Sequence, residues 1–136
     1  MLSGHGLENL YGALSAFHEQ KTGSLPAAQI VTLALAQECV VAEAAVAQFL
    51  MLLGTYAGDL ALIFAAFGGV YIAGGIVPRL LPLLHSSNFR SCFEDKGRFS
   101  GFNAQIPAYV IIAEQPGILG AAVYLRKCLK SQVEMV

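Results

Sequence analysis

Residues Phe67–Arg79 have the sequence FGGVYIAGGIVPR, in which a short apolar run stands between two pairs of glycines. The run Val70–Ala73 predicts a buried strand, and Val77-Pro78 predict the start of a helix, where the N–H that proline lacks has no partner anyway. In open α/β sheets, ligands bind beyond the carboxyl end of a strand, which is where the turn at Gly74 and Gly75 lies. Glycine there permits positive φ and a close approach of the backbone to a ligand. An ordinary strand-to-helix turn has the same pattern, so both interpretations stay open at this point.

The composition is that of one apolar domain. The chain has 136 residues, of which 56% are hydrophobic and 12% are charged, and its formal net charge is −1. The scattered basic residues argue against nucleic-acid binding. Cys39, Cys92 and Cys128 have no metal-binding spacing and are typical of reduced thiols. The reduced thiols indicate a cytoplasmic protein, and the N-terminal residues lack the charged region and apolar run of a signal peptide.

One segment raises the question of a membrane. Leu60–Pro78 carries no charge and has about the length of a bilayer span, and Val40–Gly58 before it is nearly as apolar. These two segments leave a membrane hairpin as an alternative. However, glycines weaken a helix by about 1 kcal/mol each. The residue types also change after Phe67 from Ala and Leu to Val, Tyr and Ile, which is typical of a switch from helix to buried strand. We therefore expect no membrane association.

The rest of the chain is predicted to be rich in helices, with a second buried strand at Ala108–Ala113. Because parallel strands share one edge, the turn at Glu114–Gly117 is expected to flank the same crevice as the Gly-Gly turn. Asp59 needs a partner or a solvent-facing position, and the charged run Glu94–Arg98 predicts a solvated turn. The closing helix is expected to turn one apolar face inward. The predicted helices are Leu7–His18 with Ser3 as N-cap, Pro26–Gln37, Val41–Ala65, Val77–Leu84, short turns at Ser86–Phe93 and Phe99–Gln105, and Ile118–Lys130 with Ile118, Leu119, Ala122, Leu125 and Leu129 inward.

Two strands are too few for an independent sheet, which suggests a C-terminal part of something larger. Five segments in order then show a resemblance to the C-terminal portion of bacterial glucokinases, in the hexokinase/actin/Hsp70-like phosphotransferase group. They are LSGHGLENLYGAL (Leu2–Leu14), GTYAGDLAL (Gly54–Leu62), GGVYIAGGIVPR (Gly68–Arg79), FEDKGRF (Phe93–Phe99) and IPAYVIIAEQPGILGAA (Ile106–Ala122).

The resemblance implies a helix-rich α/β fold, with parallel strands and flanking helices. This fold is the C-terminal half of an RNase H-like (actin-like ATPase) large domain, so residues 1–136 would form a single partial domain. The resemblance also implies an ATP-dependent glucokinase, which converts ATP and glucose to ADP and glucose 6-phosphate with Mg²⁺. The family's LSGxGL loop maps onto Ser3 and Gly4, and its adenosine-contacting motif maps onto Gly74, Gly75 and Ile76. His5 replaces the proline that is usual in that loop, which puts the rigidity of the loop in doubt.

The family's catalytic and sugar-binding residues all lie upstream of LSGxGL, and no residue of this chain corresponds to them. Asp59, Glu94, Asp95 and Glu114 match none of them, and no metal ligand is carried over. We therefore expect the chain to be inactive alone and to meet glucose only through an N-terminal part, because phosphoryl transfer requires both substrates and the metal to be positioned together.

A second interpretation is a non-catalytic binding or assembly module. An uncovered sheet edge and an apolar face would favour self-association, so a homo-oligomer is expected. The membrane hairpin remains as a third and weaker interpretation.

Overall fold

The structure, a computed structural model, describes residues 2–19 and 23–133, with side chains described up to residue 129. Seven α-helices, two short 3₁₀ turns and two strands lie within these residues. They are α1 Gly4–Phe17, α2 Ala27–Leu35, α3 Val40–Ile63, β1 Val70–Ile72, the 3₁₀ turn Val77–Leu80, α4 Leu81–Leu84, α5 Phe89–Glu94, the 3₁₀ turn Gly97–Phe99, α6 Ser100–Ala104, β2 Ala108–Val110 and α7 Pro116–Val133.

Helix α1 begins where the sequence predicts a cap. Ser3 has an extended backbone, and its Oγ accepts the Gly6 N–H at 3.1 Å. This bond satisfies one of the N–H groups that have no partner inside the helix. One turn apart, Leu7 and Tyr11 are buried against the core and fix the orientation of the helix.

Helix α3 forms the centre of the core, and α1, α2 and α5 all pack against it. Apolar or small residues lie on most of its sides, and 11 of its 24 residues are buried. Among the described residues, α3 is the one helix long and apolar enough to cross a membrane, and half of its most apolar window is buried inside the fold. A hairpin would need a continuous helix over Leu60–Pro78, but α3 ends at Ile63 and a strand follows at Val70.

Glycines bring α5 unusually close to α3. A Cβ atom at Gly54 would lie 2.2 Å from the Phe89 carbonyl oxygen, and one at Gly58 would lie 2.3 Å from that of Phe93. Only glycine allows two helix backbones to approach so closely. The fully buried Asn103 then ties the two helices together, since its Nδ2 donates to the carbonyls of Gly58 at 3.0 Å and Phe93 at 2.7 Å.

The charged run Glu94–Arg98 is only partly the solvated turn that we expected. The side chain of Lys96 is 8% exposed, and its Nζ contacts Asp59 Oδ1 at 2.9 Å and the Thr55 carbonyl at 3.0 Å. The prediction was wrong for Lys96 because its partners lie on α3, which is distant in sequence. The same contact gives Asp59 the partner that a carboxylate in an apolar helix requires.

Strands β1 and β2 are parallel, as predicted, and pair Val70 with Ala108 and Ile72 with Val110. Both end earlier than expected, at Ile72 instead of Ala73 and at Val110 instead of Ala113. The prediction that they are fully buried is wrong for one face. Tyr71 and Tyr109 stack there with ring centroids 4.9 Å apart and are 63% and 46% exposed.

The inward face predicted for α7 is also wrong. Ile118, Leu119, Leu125 and Leu129 are 55–65% exposed, and Ala122 is exposed too. These residues do share one side of the helix, as the periodicity indicates. However, no other described element packs extensively against α7, so its apolar side faces solvent.

Candidate functional site

A cavity of about 250 Å³ lies at the carboxyl end of β1. It contains four of the five residues that the sequence indicated as nucleotide contacts: Ser3, Gly74, Gly75 and Ile76. The complete lining is Leu2, Ser3, Phe49, Leu53, Ile72, Ala73, Gly74, Gly75, Ile76 and Val77. The fifth predicted residue, Gly4, is not part of the lining but begins α1 directly after Ser3. We call this space the β1 cavity.

The two glycines of the turn differ in whether the backbone conformation requires glycine. Gly74 has φ +136°, a conformation that other residues rarely adopt. Gly75 does not have positive φ, and a Cβ atom placed there meets no protein atom within 4 Å. Within the described structure, neither the backbone nor packing therefore requires glycine at Gly75.

Helix α3 supplies the part of the β1 cavity that sequence reasoning missed. Phe49 and Leu53 stand one turn apart on α3 and are 2% and 9% exposed, so they form an apolar wall. No motif marks them, because their role depends on where α3 passes the end of β1. The predicted contribution of the turn at Glu114–Gly117 is wrong, since none of its residues lines the cavity.

The chemistry of the β1 cavity follows from its lining. It carries no charged side chain, and its polar groups are the Ser3 hydroxyl and the peptide groups of the Gly-Gly turn. An apolar pocket with a few convergent polar groups is typical of a site for an organic ligand. The lining therefore suits an uncharged ring or sugar better than a phosphate.

A second cavity, of about 220 Å³, lies against the same turn. It shares Gly75 and Ile76 with the β1 cavity and is otherwise lined by residues of α2 and by Arg79. The full lining is Ala27, Ala28, Val31, Gly75, Ile76 and Arg79. We call it the Arg79 cavity. Arg79 is the one charged side chain that lines either cavity.

The loop at the start of α1 is tied to α2 by Glu8. One carboxylate oxygen accepts the Ala27 N–H at 3.0 Å, and the other lies 2.9 Å from Nδ1 of His5. The Ala27 N–H, followed by the His5 ring, lowers the pKa of Glu8 below its ordinary value. His5 is thus exposed in the first turn of α1 and holds the carboxylate that joins α1 to α2.

Two carboxylates outside the cavities are paired with basic side chains. Asp59 contacts Lys96, and Glu94 contacts Arg90 Nε. Within residues 2–19 and 23–133, no group of three or more His, Cys, Asp or Glu side chains is placed to hold a metal ion.

A parallel strand pair, with a cavity of about 250 Å³ beyond the Gly-Gly turn of one strand, defines an α/β protein with a cavity at the carboxyl edge of its sheet. Comparison with known proteins identifies the family. The profile of the Glucokinase family matches residues 1–128. The chain belongs to the glucokinase family.

Individual relatives agree with this assignment. The glucokinase of Colwellia psychrerythraea is 48% identical over an alignment that covers 93% of this chain and 40% of the relative. The glucokinase of Pectobacterium atrosepticum is 45% identical, with 96% and 41% covered. The crystal structure of glucokinase from an Antarctic psychrotroph superposes with a TM-score of 0.81 at 41% identity, and covers 92% of this chain and 39% of that one. The chain thus spans about 40% of the length of the relatives it matches.

Proposed function

We propose that this chain is the nucleotide-side part of an ATP-dependent glucokinase, and that the β1 cavity contributes to binding the adenosine portion of ATP or ADP. The observation that carries the proposal is the meeting of Ser3 with Gly74, Gly75 and Ile76 around one cavity. Ser3 and the Gly74–Ile76 segment lie far apart in the matched sequence, and both segments resemble nucleotide-contacting motifs of the family. Gly4 lies beside them as the first residue of α1.

The chemistry of the β1 cavity supports binding of the nucleoside by this chain and of the phosphates by other groups. Its aliphatic and aromatic walls would exclude water from a nucleoside, and the Gly74-Gly75 turn would present peptide groups to it at close range. The phosphates and Mg²⁺ would then project toward groups that the described residues do not supply. Phosphoryl transfer to glucose requires both substrates and the metal to be held in line. We therefore expect that this chain binds and orients nucleotide, is inactive alone, and meets glucose only through an N-terminal part in the cytoplasm.

The amount of exposed surface supports a partial domain. The chain exposes 9042 Å², whereas a compact monomer of 14.4 kDa is expected to expose about 6,800 Å². The excess is consistent with one half of an RNase H-like large domain, whose sheet and helices would be completed by further chain. On this proposal, residues 1–136 form a single partial domain.

Calorimetric titration of the chain with ADP–Mg²⁺ tests the nucleotide site. We expect saturable binding, and we expect Gly75→Val to weaken it by at least about tenfold, or 1.4 kcal/mol, by filling the cavity. The variant should keep its fold, because a Cβ at Gly75 meets no protein atom. Gly68→Val is the matched control, since Gly68 also has open space but lies outside the cavity.

Three results would contradict the proposal. A folded wild-type chain that gives no binding heat would show that the described residues do not form the site by themselves. Equal affinity in wild type and Gly75→Val would place the nucleotide elsewhere. Sustained ATP-dependent formation of glucose 6-phosphate by this chain would refute its inactivity.

A second candidate function, self-association, is favoured by the exposed apolar surfaces. Six large apolar residues of α7, namely Ile118, Leu119, Val123, Tyr124, Leu125 and Leu129, are 55–71% exposed. The described sheet has two strands. Val70 and Ile72 make their hydrogen bonds on the side of β1 that faces β2, so the peptide groups of Tyr71 lie on the opposite, open edge of β1. Open edges and apolar faces of this kind favour association between chains.

Light scattering at high concentration tests the self-association. We expect a dimer or larger species, and a shift toward monomer in Leu119→Glu/Val123→Glu, which places two charges on one side of α7. Lys127→Glu, an exposed charge change on the same helix, should leave the mass unchanged. A monomeric wild type would count against this function.

A further inference from the structure

The backbone of Arg79 is held beside the Gly-Gly turn. It lies in the 3₁₀ turn Val77–Leu80, where Val77 and Leu80 are buried at 6% and 0% exposure while Arg79 faces outward. Its backbone N–H donates to the Ile76 carbonyl at 3.1 Å. The preceding Pro78 restricts the backbone further. The position of Arg79 is therefore coupled to that of the residues that line the β1 cavity.

The guanidinium of Arg79 is not engaged by the rest of the described chain. Arg90 donates to the carbonyls of Ile106 and Ala104 at 2.8 Å, and Arg98 lies over the ring of Phe99. Arg79 makes no ion pair with any described residue. A planar, permanently charged group thus lines a cavity of about 220 Å³ with no hydrogen-bond or ion-pair partner in the part of the chain that the structure describes.

The walls of the Arg79 cavity favour a base over a phosphate. The other side chains of the Arg79 cavity are aliphatic, from Ala27, Ala28, Val31 and Ile76. The N-terminus of α2 does not offer its first N–H to an anion, because Glu8 accepts it, and the carboxylate of Glu8 would repel a phosphate. A planar, uncharged ring suits these walls, and guanidinium groups stack well on aromatic rings and on nucleobases.

We infer that the base of the bound nucleotide lies in the Arg79 cavity and stacks on the Arg79 guanidinium, with its ribose across the Gly75-Ile76 turn in the β1 cavity. This inference rests on the proposed nucleotide site and adds to it a base-binding residue three positions beyond the Gly74–Ile76 motif. Such a contact is worth up to about 30-fold in affinity when it is shielded from water, as follows from the usual strength of cation–π contacts.

Titration of the full chain with adenosine and with ADP–Mg²⁺ tests the assignment. Arg79→Met keeps a long side chain but removes the planar charge, and we expect it to raise both dissociation constants by the same factor, about tenfold. Arg98→Met is the matched control, because Arg98 is an exposed arginine that lines neither cavity. Saturation-transfer NMR gives a second readout, in which Arg79→Met should reduce transfer to the base protons more than to the ribose protons.

Each other outcome overturns the inference in a distinct way. Weaker ADP binding with unchanged adenosine binding in Arg79→Met would make Arg79 a phosphate contact. Unchanged affinity for both ligands would remove Arg79 from the site, while leaving the proposed nucleotide site intact. Absence of binding to either ligand by the folded wild-type chain would instead refute the proposed function, and the base contact with it.

Discussion

Replacement of Gly54 by alanine tests the closest helix contact in the fold. The added Cβ would lie 2.2 Å from the Phe89 carbonyl oxygen, 3.0 Å from its carbonyl carbon and 3.1 Å from its Cα. All three are backbone atoms, so no side chain can rotate to make room. Ordinary contact begins at 3.4 Å, so α5 would have to move away from α3 by about 1.2 Å.

Two opposing terms set the size of the effect of Gly54→Ala. Alanine is more favourable than glycine in a helix interior by about 1 kcal/mol. Overpacking by one carbon costs about 1–3 kcal/mol, and the backbone clash places this site at the upper end of that range. We therefore expect the free energy of unfolding to fall by about 2 kcal/mol.

Urea unfolding followed by far-UV circular dichroism measures this difference, because the midpoint shifts while the slope stays constant when only stability changes. Gly12→Ala is the matched control. Gly12 lies inside α1 with no atom within 4 Å of its added Cβ, so this variant should be stabilised by about 0.5–1 kcal/mol. A Gly54→Ala protein as stable as the wild type would refute the close approach of α3 and α5.

Three further predictions concern polar contacts. Asn103→Asp should destabilise the fold at least as much as Asn103→Ala, by about 2–4 kcal/mol in urea unfolding. The reason is that an acceptor would face the two carbonyls to which Nδ2 now donates. An Asn103→Asp protein as stable as the wild type would contradict this orientation of the amide. The pKa of Glu8 is lowered in the folded state, first by the Ala27 N–H and then by His5, so its contribution to stability is complete above its ordinary value of 4.5 and is lost as the pH falls through the lower folded value. The unfolding free energy should therefore decline below about pH 4.5 more steeply in wild type than in Glu8→Gln. Equal pH dependence of the unfolding free energy in the two proteins would count against this role of Glu8. Asp59→Asn should lower the free energy of unfolding by less than about 1 kcal/mol, since Asp59 is half exposed. Lys96→Ala should lower it more, because this variant also loses the contact with the Thr55 carbonyl. The reverse order of the two effects would contradict the assigned roles.

Local patterns predicted the elements of the fold well. The Ser3 cap, the start and length of α3 and the positive φ of Gly74 all depend on neighbouring residues, so they could be inferred from short segments. The parallel pairing of β1 and β2 was predicted instead from the general rule for strands joined by a crossover connection. The inward face assigned to α7 failed for the opposite reason. Periodicity shows that apolar residues share one side of a helix, but it does not show whether another element covers that side.

The site divides in the same way. The sequence by itself determined which residues follow β1 and which cap α1, and the family resemblance indicated Ser3, Gly4, Gly74, Gly75 and Ile76. Only the tertiary structure decided that Phe49 and Leu53 of α3 wall the β1 cavity, that Arg79 lines a second cavity on the same turn, and that Gly54 and Gly58 must be glycine. The physical reason is the distance along the chain over which each feature is determined. Caps, turns and strand propensity are set within a few residues of the chain. A cavity or a backbone contact depends on segments that are far apart in sequence and meet only when the core is packed.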